Sequence, residues 1–125
     1  MRTEEIAKLQ RELESVEVEF RERLLAALQV CAGGVWGLFG QNDQGEARRY
    51  AERSPGWREA EALLAIGHRM TSLRQRLGVF EPDALYEKFL SYRRERGPNA
   101  LGEPRLARRF LDELAEESAS RSPRV

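Results

Sequence analysis

Few residues in this 125-residue chain are of a type that does chemistry unaided. There is one histidine, His68, and one cysteine, Cys31. One of each cannot build a Cys/His zinc site within the chain, and a lone thiol cannot close an intrachain disulfide. As a general base His68 would need a carboxylate brought from another helix. It is followed two places later by Met70, a separation that puts the pair on different helical faces and disfavours local haem ligation. Cys31 falls at the end of an apolar helical stripe, where the helix dipole disfavours a thiolate. His68 therefore reads as a partly exposed structural residue and Cys31 as core. No helical Glu-x-x-His pair and no serine elbow is present, so no catalytic residue, metal or cofactor is expected.

The most unusual segment is Gly33-Gly34-Val35-Trp36-Gly37-Leu38-Phe39-Gly40-Gln41-Asn42-Asp43. Four glycines in eight residues cannot hold a regular helix, so an irregular loop is expected. Trp36, Leu38 and Phe39, with the polar Gln41, Asn42 and Asp43, are candidates for gripping a partner or ligand, because loops on a rigid scaffold often carry function. The competing expectation is that the aromatics plug one end of the core. No Gly-Lys-Ser/Thr follows the glycines, which excludes a phosphate loop of that type.

Arginine is the third feature. Of 21 basic residues only Lys8 and Lys88 are lysine. Compositional bias explains this most simply, although the planar guanidinium also suits phosphate. Arg93, Arg94 and Arg96, together with Arg105, Arg108 and Arg109, would form a basic patch if the third and fourth helices meet there. Local pairing of Arg108 with Asp112 and Arg109 with Glu113 argues against that use, and no groove-reading helix motif is present. The 21 acids cancel the 21 bases, so there is no whole-molecule basic footprint. The zero is nevertheless a sum of unlike parts. Residues 1–45 hold eight acids and five bases, and residues 46–125 hold 13 and 16, which favours attraction between two copies.

These residues are positioned by helices. From Thr3 to Cys31 the apolar residues Ile6, Leu9, Leu13, Val16, Phe20, Leu24, Leu28 and Cys31 recur at steps of three and four, uninterrupted by proline or glycine. Acids precede bases by four at Glu4/Lys8, Glu17/Arg21 and Glu19/Arg23, the favourable order for exposed pairs. Gly33-Gly34 supplies the stop. Asp43 with Glu46 suggests a capping box and a short helix through Ala51. Ser54-Pro55 opens the next long helix, with Trp57, Ala60, Leu63, Leu64, Gly67, Met70, Leu73 and Leu77 on one face, and Gly78 ends it. Pro82 is expected to start a third, bearing Leu85, Tyr86, Phe89, Leu90 and Tyr92. Gly102-Glu103-Pro104 opens a fourth, bearing Leu106, Phe110, Leu111 and Leu114. No segment alternates as a strand does.

The expected architecture is one all-α domain over residues 1–117, a bundle of about four main helices with a long N-terminal helix, a Gly-rich loop after it and a disordered tail over 118–125. The first helix outruns the others, so Ile6, Leu9, Leu13, Val16 and Phe20 are the expected contacts of a homodimer. No apolar run reaches the roughly 20 residues that span a bilayer, and no apolar leader region opens the sequence, so a cytoplasmic location without membrane contact is expected. In function, the expectation is a non-catalytic protein-interaction or assembly module. A nucleic-acid regulator using the arginines is the alternative, and an enzyme or ligand-binding protein with its site at Trp36–Asp43 the third choice.

Overall fold

The computed structural model describes residues 2–34, 55–95 and 103–121. They form four helices: α1, Thr3–Ala32; α2, Pro55–Arg76; α3, Ala84–Glu95; and α4, Glu103–Arg121. Among the described residues there is no strand, and no helix is long and apolar enough to cross a membrane. The protein is an all-α helical bundle.

The helix ends follow local chemistry. At the end of α1, Gly34 takes φ +79°, and its N–H donates to the Cys31 carbonyl at 3.0 Å. At the end of α2, Gly78 also takes φ +79°. There Gly78 N–H donates to Gln75 O at 3.0 Å and Val79 N–H to Arg74 O at 2.8 Å. That double closure is a Schellman motif, and it needs a residue without a Cβ penalty at position 78. Pro55 opens α2 as expected. Pro82 does not open α3: Asp83 caps it instead, its Oδ1 accepting the Tyr86 N–H at 2.9 Å. The fourth helix continues to Arg121, four residues into the stretch expected to be a disordered tail. Extending a formed helix costs little per residue, and Glu117 anchors this end by accepting from Lys88 at 2.8 Å. The short helix expected after Asp43, and residues 122–125, lie outside the described residues.

Ion pairs set the helix directions. Arg23 meets Glu59 with Nε–Oε1 2.6 Å, and Arg69 meets Glu12 at 2.7 Å, so α2 runs antiparallel to α1. Phe20 packs edge-to-face on Tyr86 at 5.6 Å and on Phe89 at 6.2 Å, which lays α3 beside the middle of α1. Arg108 of α4 donates to Ala32 O at 3.0 Å, while Lys88 reaches Glu113 and Glu117, so α4 runs back along both. The result is an up-down-up-down bundle. The backbone of α1 comes closest to α2 and α4, where Ala27, Ala60 and Ala107 are buried. Larger rings fill the space towards α3.

The stripe assigned to a dimer is covered by the chain itself. Leu9, Val16 and Phe20 are 6%, 3% and 1% exposed, and Leu13 packs against the core. Ile6 is half-buried. Helical periodicity shows which face of α1 is apolar, but not that α2 turns back along it. The Arg69–Glu12 bridge marks that register, and Leu73 and Leu77 continue it towards the start of α1. The expectation that Leu9, Val16 and Phe20 form an intermolecular surface is therefore corrected, because their area is already withdrawn from water.

Candidate functional site

Between α3 and α4 lies a shallow groove of about 480 Å³, lined by Lys88, Ser91, Tyr92, Arg109 and Glu113. The spacing on α3 puts Lys88, Ser91 and Tyr92 on one face, and Arg109 and Glu113 are four apart on α4. Tyr92 lies flat on Phe110, with ring centroids 4.4 Å apart and planes 21° from parallel. The Arg109 guanidinium also lies over that tyrosine ring, 4.8 Å from its centroid, and its Nε donates to the Tyr92 hydroxyl at 3.1 Å. Lys88 Nζ sits 3.0 Å from Glu113 Oε2 and 2.8 Å from Glu117 Oε1. Two cations and two carboxylates thus neutralise one another.

The protonation states argue for a clasp. Burial works against the Lys88 charge, but hydrogen bonds to Glu117 and Glu113 outweigh it and hold the ammonium above its ordinary pKa. Burial likewise raises Tyr92, only partly opposed by Arg109. The Lys88 hydrogen bond, then Tyr92, hold Glu113 below the usual carboxylate range. A lysine nucleophile or base needs the reverse shift, towards neutrality near pH 7. Here each group keeps the form that ties α3 to α4.

The arginines proposed for nucleic acid are spread over different tasks. Arg108 serves the C-terminus of α1, which has no basic residue in its own last turn. Arg109 stacks on Tyr92, and Arg93 lies 5.9 Å from the Phe89 ring centroid. Arg94 and Arg105 are exposed, and Arg96 lies outside the described residues. The contacts across helices are Arg109 to Tyr92 and Lys88 to Glu113. In the same way Arg23, expected to pair with Glu19, reaches across to Glu59.

The loop candidates Trp36, Leu38, Phe39, Gln41, Asn42 and Asp43 lie outside the described residues. His68 is exposed on α2 and does not line the groove. Cys31 is buried, as expected. Among the described residues no group of His, Cys, Asp and Glu side chains could hold a metal ion.

One surface feature is invisible to helical periodicity. Phe80 is 79% exposed and its neighbour Val79 is 40% exposed. Both lie between α2 and α3 in a turn held by the Schellman bonds and by Arg74 Nε, which donates to Glu81 O at 2.9 Å. The signal for it in sequence is a large aromatic residue between a helix-stopping glycine and a proline, with no helical face to join. Val18 is also exposed, but it stands singly on α1, as isolated surface apolar residues commonly do. Comparison with protein-family models, curated proteins and solved structures finds no match.

Proposed function

We propose that this protein is a non-catalytic assembly module that associates reversibly with a second copy of itself, using the Val79–Phe80 turn as its anchor. The observation that carries this is Phe80, 79% exposed on a turn whose backbone is hydrogen-bonded at both ends. An aromatic side chain offers a large apolar surface at small entropic cost when it inserts into a partner. Arg74 and Arg76 in the last turn of α2 precede this turn, and Glu81 and Asp83 follow Phe80, so a two-fold arrangement can set opposite charges around the rings. The acidic and basic halves of the chain favour the same encounter.

Size decides the strength. Two phenylalanines and two valines bury on the order of 400 Å² of apolar surface, well below the roughly 1,200 Å² of a stable interface. At about 25 cal/mol per Å² they yield roughly 10 kcal/mol before association entropy is subtracted, and that entropy is of similar size. The association is therefore weak and concentration-driven. Amide chemical shifts followed through a dilution series test it. Val79, Phe80 and Glu81 should move with concentration in the wild type and stand still in Phe80→Ser. Uniform, concentration-independent shifts at the turn would refute it.

A further inference from the structure

The Phe80 turn is closed at its start, capped at its end and bridged once in between. Gly78, at φ +79°, donates its N–H to Gln75 O at 3.0 Å, and Val79 donates to Arg74 O at 2.8 Å. Those closing bonds stop at Val79. On the far side the fixed point is Asp83, whose Oδ1 accepts the Tyr86 N–H at 2.9 Å. Between them runs Phe80-Glu81-Pro82, and Pro82 has no N–H with which to close the turn on itself. Among the described residues one hydrogen bond reaches into this span: Arg74 Nε donates to Glu81 O at 2.9 Å. Arg74 thus holds the segment twice. Its carbonyl fixes the residue before Phe80, and its side chain fixes the residue after it. Glu81 also precedes a proline, which confines its backbone to extended conformations. Phe80 is left as the single residue between two anchored neighbours.

We propose that Arg74 is the positioning residue of the Phe80 anchor. Its side chain straps the Glu81 carbonyl and so holds the backbone beneath the exposed ring in one conformation, ready for a second copy. The strap belongs to the single chain; its consequence for binding rests on the self-association reading. It acts through the hydrogen bond rather than through charge. A loose turn has to be ordered when two copies meet, and ordering consumes a large share of the free energy of a weak contact. Loss of the strap is therefore expected to weaken association roughly threefold to tenfold. The fold itself should change little, because the bond lies at the surface and its acceptor can turn to water.

Two substitutions separate the bond from the charge. Glutamine carries a donor nitrogen as many bonds from Cα as arginine Nε, without the charge; methionine carries neither. Backbone amide relaxation of the full chain, recorded in dilute solution, reads the strap directly. Arg74→Met is expected to lower the heteronuclear NOE of Phe80 and Glu81, and Arg74→Gln to keep most of it. In the dilution series Arg74→Met is expected to need roughly threefold to tenfold more protein for the same shift change, with Arg74→Gln closer to wild type. Amide shifts of the core residues Val16 and Leu24 check that both variants stay folded. An unchanged NOE in Arg74→Met overturns the strap. So does a fall in Arg74→Gln as large as in Arg74→Met, which would assign the effect to charge. A lowered NOE with undiminished association overturns the positioning role. A wild type that never associates removes the self-association reading alone, since the relaxation arms decide the strap within the single chain.

Discussion

Gly67 lies in the middle of α2, where glycine costs about 1 kcal/mol relative to alanine. By propensity alone, Gly67→Ala should stabilise the protein. The packing predicts the opposite. A methyl group built at Gly67 overlaps the Cδ1, Cε1 and Cζ edge of Tyr86. To regain ordinary contact the ring must retreat by more than about 1 Å. It cannot do so freely, because Tyr86 is 5% exposed and is pinned by Phe20 on another side. Overpacking of this kind costs about 1–3 kcal/mol, so the propensity gain is outweighed by about 1–2 kcal/mol at the upper part of that range. At this chain length each kcal/mol moves the melting temperature by roughly 4 °C, so a fall of roughly 4–8 °C is expected. Urea denaturation of a double-mutant cycle gives the decisive assay. In a Tyr86→Val background, which removes the ring edge, Gly67→Ala should turn stabilising by up to about 1 kcal/mol. A neutral or stabilising Gly67→Ala in the wild-type background would refute the close approach of α3 to α2 at this point.

Three further outcomes follow from the same packing. Leu9→Glu puts a charge into a position 6% exposed within the single chain, and should cost about 3 kcal/mol or more at every protein concentration. A cost that disappears on dilution would instead place Leu9 between copies. Glu113 is held below its ordinary value, so its pairing with Lys88 supports the fold above 4.5 and is lost as pH falls through the lowered value. Glu113→Gln should therefore lower the melting temperature at neutral pH and lose that effect in strong acid. Arg108→Ala removes a charged donor from the exposed end of α1 and should cost about 1 kcal/mol by thermal melting.

The helices are legible in the sequence because an apolar stripe recurring every three to four residues fits a helix and does not fit a strand, and because Gly33-Gly34, Pro55 and Gly78 punctuate the chain. The core rings Phe20, Phe89 and Phe110 belong to the same stripes. Partners across helices are not legible, since periodicity fixes a face and leaves its neighbour open. Arg23 looks equally able to pair with Glu19 on its own helix, and only the antiparallel register of α2 brings it to Glu59. Ala107 is easily missed because a small side chain adds little to an apolar pattern, yet it is fully buried. Asp83 is overshadowed by the neighbouring proline. Phe80 belongs to no stripe, and its ring is exposed.

Among the described residues the Phe80 turn is the apolar patch left open, whereas the stripe of α1 is covered, and association through that turn is the proposal to be tested. Sedimentation velocity across a wide concentration range tests it most directly, with wild type and Phe80→Ser compared at matched loading. Phe80→Ser should melt within about 0.5 kcal/mol of wild type, because an exposed ring contributes little to the fold. The wild type is predicted to shift towards a faster-sedimenting species as concentration rises, while the variant stays monomeric throughout. A wild type that remains monomeric to the highest loading, or a variant that associates equally well, would contradict the account.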